Sequence, residues 1–282
     1  TQHLILINNE PKTIVSTTYT NVIGDITNLK SVTVSKDVKH IGDNAFLDAS
    51  NLTTVSFEEV SNLETIGTSA FQGATGLTSV TIPKSVTSIG DSAFLGATSL
   101  TTVSFEDISN SKLTNIYYGA FFGATALTSI TIPKSVTSIG ASAFESATSL
   151  TQVTFAPDIS FGGIPGRMFY DASGLTSIDI PNTVTSIGAR AFEGATSLTT
   201  VSFEEVSNLK TIGHGAFQGA TGLTSVTIPS SVTSIGPSAF EKAGLTSITI
   251  PAGVTSIGNR AFWSATSLTE VTFQADSSLN SI

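Results

Sequence analysis

Residue types that do covalent chemistry are scarce in this chain. It has three histidines (His3, His40, His214), scattered far apart, and no cysteine. No Ser-His-Asp, metal-ligand or phosphate-loop spacing surrounds them. The sequence therefore predicts no catalytic residue, no metal site and no cofactor, and the chain does not read as an enzyme. Binding chemistry is more visible. Residues 110–122 read Asn-Ser-Lys-Leu-Thr-Asn-Ile-Tyr-Tyr-Gly-Ala-Phe-Phe and add Tyr117, Tyr118 and Phe122. Residues 161–170 read Phe-Gly-Gly-Ile-Pro-Gly-Arg-Met-Phe-Tyr and supply Phe161, Arg167 and Tyr170. Large aromatic side chains and arginine on loops are the chemistry of interface hot spots, so these six are the candidate binding residues.

The elements that position them follow from a repeat. Leucines at Leu29, Leu52, Leu77, Leu100, Leu127, Leu150, Leu175, Leu198, Leu223, Leu245 and Leu268 open successive units of 22 to 27 residues. Self-similarity at that period is the signature of a solenoid. In the unit from Leu77, Val80 and Ile82 alternate with Ser79 and Thr81, which predicts a half-buried strand. Pro83 cannot donate to a ladder and ends it. Val86 and Ile89 form a second apolar pair, Gly90 turns the chain, and Asp91 or Ser92 is placed to cap a short helical turn carrying Ala93, Phe94 and Ala97 inward. Ordering costs roughly 1.5 kcal/mol per residue, so one coil of this size is unfolded alone and needs a neighbour on each side. Fifteen of the 17 phenylalanines fall on two repeat positions, ten in the register of Phe94 and five (Phe57, Phe105, Phe155, Phe203, Phe273) at the strand's third inward site, and so read as core. Eleven rungs at about 4.8 Å make a body roughly 50 Å long.

Units also alternate. Those with Ile-Pro after the strand (Pro83, Pro133, Pro181, Pro229) take turns with Phe-Glu-Glu or similar, and residues 52–96 differ from 198–242 at seven positions, all assigned to the surface. Lys36, Glu59, Lys84, Asp107 and Lys134 share one position on consecutive rungs and read as an ion-pair ladder rather than a calcium site. On the strand face, Ser/Thr-x-Thr/Ser recurs from rung to rung, a pattern open to two readings: β-propensity, or a hydroxyl lattice for water, ice or a repetitive glycan. Net charge is −9, with charged residues only 12% of the chain and no basic run, which argues against nucleic acid and anionic membrane as partners.

The repeat resembles the BspA-like leucine-rich repeat family, whose consensus runs Leu-x-x-Leu-x-Leu-Pro-x-x-Leu-x-x-Ile-x-x-x-Ala-Phe-x-x-Cys. The likeness covers Leu29 to Ile282, ten complete units plus a truncated eleventh, with alanine (Ala49, Ala74, Ala97 and equivalents) where that family has cysteine. The resemblance implies a β-rich, α/β horseshoe-like solenoid: a parallel sheet on one face, second short strands and short helical turns on the other. Residues 1–28 break the register, with Leu4–Ile7 reading as a strand, and are expected to cap the first rung. It further implies a non-catalytic module at the cell surface or secreted, an adhesin-like binder of a protein or glycan ligand on host, matrix or neighbouring cells. A spacer or surface scaffold is the alternative, and a hydroxyl-lattice binder of glycan or ice a further one. Absence of cysteine is compatible with an extracellular location. No stretch is apolar and long enough to span a bilayer, Thr1 begins without a signal-like segment, and both ends read as cuts within a longer protein.

Overall fold

The computed structural model describes residues 12–14, 26 and 28–280. The expected strand at Leu4–Ile7 lies outside them. Each repeat forms one rung, and every strand pairing is parallel. Four-residue strands such as Ser79–Ile82 and Thr102–Phe105 stack into a nine-stranded front sheet, which Lys12–Ile14 extends by pairing with Ser31–Val34. Two-residue strands such as Ser88–Ile89 build the opposite wall in groups of five and four. The gap between those groups falls around Ile164, which bridges to Ile187.

The third side corrects the expected helical turn. A helix would send each N–H to the carbonyl four residues back. Here consecutive β-turns form instead, with Ala93 N–H donating to Gly90 O (3.2 Å), Leu95 to Ser92 (3.0 Å) and Ala97 to Phe94 (3.1 Å). The alternate N–H groups of Ser92, Phe94 and Gly96 donate across to the next rung, at 2.7–2.8 Å. Two residues per rung are left-handed to permit this, Ser92 (φ 55°) and Gly96 (φ 69°) in that unit. The turn's first glycine is there for space: a Cβ on Gly90 would lie 2.6 Å from the carbonyl carbon of Gly67 below.

Leu, Val and Ile of both strands, the two alanines and the phenylalanine of each rung fill one continuous core. From Phe46 to Phe262 the ten rings stack in sequence, centroids 5.0–5.8 Å apart and planes within 18°. Phe57, Phe105, Phe155 and Phe203 are only partly buried, and Phe273 on the final described strand is 41% exposed.

The front sheet is built in doublets. Ser79–Ile82 is in register with Thr102–Phe105 along its whole length, and the ladder continues as Glu106 N–H donates to Ile82 O at 2.9 Å. Between Thr102–Phe105 and the next strand, Ser129–Ile132, only Ser129 and Thr102 pair. The same alternation recurs at Ser31–Val34 with Thr54–Phe57, followed by a junction paired only at Thr54 and Ser79. Proline explains it. Pro83, Pro133, Pro181 and Pro229 stand where the next N–H would reach down to the preceding rung, and they have none to give. At Pro229 the sheet stops altogether.

Candidate interaction surface

The turn side carries the chain's variable side chains. One column, just after the stacked phenylalanine, runs Leu47, Gln72, Leu95, Phe122, Glu145, Tyr170, Glu193, Gln218, Glu241, Trp263. Beside it lies the first left-handed slot, filled by Asn, Ser, Gly or Arg, where Arg167 (φ 57°), Arg190 (φ 57°) and Arg260 (φ 58°) stand.

Arg167 is held by both a carboxylate and an aromatic ring. Its Nε and Nη2 donate to Glu145 Oε2 (3.0 Å) and Oε1 (2.5 Å), a bidentate pair across two rungs. Its guanidinium carbon sits 4.2 Å from the centre of the Tyr170 ring, so cation and aromatic face are stacked. Glu145 is buried at 4% exposure, whereas Arg167 remains 42% exposed along its side chain. The hydrogen bonds it donates to that carboxylate, working against burial, hold the guanidinium above its ordinary pKa. Tyr118 also contributes to the field at Arg167, and Tyr117 and Tyr118 are 47% and 54% exposed. Phe122 and Tyr170 are half-buried.

Phe161 is a correction. It is 3% exposed and packs on Phe155 at 5.1 Å, because its segment folds into the rung interior and leaves Gly162 outside. Five of the six candidates thus share the turn side, and the sixth belongs to the core. The charged ladder is a second correction. No ion pair joins Lys36, Glu59, Lys84, Asp107 and Lys134 among the described residues. The residue before that position reaches down instead: Glu58 accepts the backbone N–H of Lys36 (3.0 Å), Glu106 that of Lys84 (3.0 Å) and Glu204 that of Asn182 (3.0 Å). The Lys36 N–H, then Ser35, hold Glu58 below the usual carboxylate pKa. Among the described residues no three His, Asp or Glu side chains converge as a metal would require.

Four rungs on, the same slots hold Glu241, Arg260 and Trp263. Glu241 is 7% exposed, against its expected surface position, and takes Gln218 Nε2 at 3.2 Å. Arg260 and Lys242 both lie over the Trp263 indole, at 5.5 and 5.7 Å, and Trp263 is 51% exposed. A buried glutamate, a left-handed arginine and an aromatic ring thus occupy the same slots twice, but Glu241 is met by Gln218 and Lys242 where Glu145 is met by Arg167. Each places a charged group against an exposed or half-buried ring.

The sequence profile of the BspA type leucine rich repeat region matches this chain in six copies, over residues 12–151, 104–209 and 162–282. The chain belongs to the BspA type leucine-rich repeat family. A leucine-rich repeat protein from Bacteroides ovatus is similar in structure at 28% identity, TM-score 0.59, over 90% of this chain and 74% of that one. The pneumococcal vaccine antigen PcpA shares the fold at 23% identity, TM-score 0.58, over 95% and 79%. A leucine rich cell surface protein from Faecalibacterium prausnitzii aligns at 27% identity, TM-score 0.49, over 95% and 88%. No curated protein sequence matches the chain. Against the BspA-type repeat pattern, Glu145, Glu241, Arg260 and Trp263 all escaped the sequence reading. One signal for them was present: Trp263 is the chain's single tryptophan, in the same repeat slot as Tyr170.

Proposed function

We propose that this chain is a non-catalytic, extracellular or surface-displayed interaction module that holds a protein partner on host, matrix or neighbouring cells along its turn side. Tyr117, Tyr118, Phe122 and Tyr170 provide the contact and Arg167 fixes Tyr170. The observation that carries this reading is the Glu145–Arg167–Tyr170 stack beside two exposed tyrosines, since pre-ordered aromatic anchors lower the entropic cost of association. The family resemblance supports the surface location. Residues 1–28 are proposed to cap the solenoid that follows.

The test is a Tyr117→Gly, Tyr118→Thr, Phe122→Gln, Tyr170→Gln variant carrying residues found in these slots on regular rungs. Arg167 stays, because removing it strands Glu145. Binding to a panel of immobilised matrix proteins and cells should fall at least tenfold with the melting temperature nearly unchanged. Equal binding by both proteins would remove the turn side from consideration. The spacer reading is favoured by the near-identity of residues 52–96 and 198–242, and it becomes the better one should nothing on the panel bind.

A further inference from the structure

The proline junctions leave clefts on the front sheet, away from the turn side. One, of about 350 Å³, is lined by Ser56, Phe57, Thr81, Pro83 and Glu106. Another, of about 210 Å³, is lined by Thr154, Phe155, Asp179, Pro181 and Glu204. The two share a valine, a hydroxyl, a half-buried phenyl ring, a polar side chain on the proline rung, the proline, and a carboxylate from the rung beyond, while Glu58, Glu59 and Ser61 line the first alone and Gln152, Ser177 and Ile178 the second. Each carboxylate is fixed in place by one oxygen, which accepts the N–H of Lys84 or Asn182. Rigid acceptors and hydroxyls around an apolar ring are the chemistry that takes a sugar, which offers hydroxyls at its edge and C–H groups on its face.

We propose that the front sheet binds a neutral, extended, cellulose-type chain of hexose rings lying along the solenoid axis. Three observations select it. From Pro83 through Pro133 to Pro181 the junctions recur every two rungs, about 9.6 Å, and adjacent rings in such a chain alternate in orientation, so its repeat is two rings per doublet. The two carboxylate-bearing clefts are four rungs or about 19 Å apart, so a single chain engages both and gains from the linkage. Asp179, Glu106 and Glu204 on a chain of net charge −9 repel uronic-acid, sulfated and nucleic-acid polymers, leaving a neutral one. Hydroxyl pairs such as Thr81–Ser104 (2.9 Å) and Thr33–Ser56 (3.0 Å) lie within doublets, so the face is a series of grooves rather than an even lattice.

Calorimetric titration of the whole chain with cellohexaose should show saturable binding, and cellobiose should bind at least tenfold more weakly. Glu106→Gln with Glu204→Gln should lower hexaose affinity at least tenfold. These changes keep the fold, since Gln274 already holds the equivalent place, accepting the Ala252 N–H at 3.2 Å. Pro83→Ala with Pro181→Ala, which restores the missing N–H groups and closes the clefts, should have the same effect. Tyr118→Thr should have none. No saturable binding of cellohexaose, equal binding of cellobiose, or indifference to both double variants would each overturn the proposal, and none of these bears on the protein-binding surface.

Discussion

Glu145 shows how one side chain sets the character of its surroundings. A buried carboxylate is tolerated only when its charge is met, and Arg167 meets it with two hydrogen bonds. Arg167→Ser should therefore cost roughly 1.5–3 kcal/mol, and Glu145→Leu added to it should recover most of that, read by urea denaturation of all three variants. Glu193 behaves differently. Burial, the largest effect on it, raises its pKa against the opposing pull of Arg190, and its Oε2 is buried without a hydrogen bond. A carboxyl with a raised folded-state pKa stabilises fully below its ordinary value of 4.5, and that contribution is lost as pH rises through the folded value. Glu193→Gln should accordingly raise the melting temperature at pH 7 and leave it unchanged at pH 3.5. Val60 and Val206 are a third case, β-branched residues at φ 59° and 58° and largely exposed. Asp158 and Asp276 fill the same slot. Val60→Asn and Val206→Asn should each gain about 1 kcal/mol by relieving left-handed strain, measured as a shift in denaturation midpoint.

At the level of the element, three columns of hydrogen bonds hold adjacent rungs, one in the front sheet, one in the back strands and one in the turns. Threonines flanking the strands add to them: Thr101 Oγ1 donates to Thr78 O (3.0 Å) and Thr151 Oγ1 to Thr128 O (3.0 Å), continuing up the edge. Much of the chain's hydroxyl content is thus committed to its own backbone. Inside, the phenylalanine stack runs unbroken through every doublet junction. Phe144, fully buried between Phe121 and Phe169, has no room for its neighbours to collapse inward. Phe144→Ala should cost ~3–5 kcal/mol, detectable by thermal melting. Amide exchange should also rise in the rungs on both sides of it.

Across the whole molecule, each rung touches only its neighbours, so stability approximates a sum over rungs and interfaces. The doublet adds a constraint. Deleting residues 175–222 removes one proline rung and one Phe-Glu rung and joins the Leu150 unit to the Leu223 unit, keeping the alternation. Deleting residues 175–197 alone sets side by side two rungs that carry phenylalanine, Phe155 and Phe203, in place of Ile-Pro. The first deletion should fold cooperatively with a proportionally smaller denaturant dependence, while the second should unfold at lower urea despite being longer. Of the described residues, no helix is long and apolar enough to cross a membrane, and every described strand pairs in parallel with another rung.

The rung, its inward residues and its stacking were legible in the sequence because each repeat reports independently on the same environment. Leu77, Val80, Ile89 and Phe94 recur where they must be buried, and their equivalents are buried in most rungs, the last rung with its exposed Val271 and Phe273 excepted. Proline as the end of each strand was also legible from its missing N–H. Only the tertiary structure decided that the same missing N–H divides the sheet into doublets and opens clefts, since the partner it fails to reach lies a full repeat away. Phe161 was misplaced for a related reason: in its irregular rung the register no longer predicts which side faces out. The turn resisted reading as well. Ser92 and Phe94 spend their N–H groups on the rung above rather than on a helix of their own, and a local pattern of capping residue and alanines does not contain that neighbour. Glu145 and Arg167, 22 residues apart, met only because stacking brought one repeat against the next.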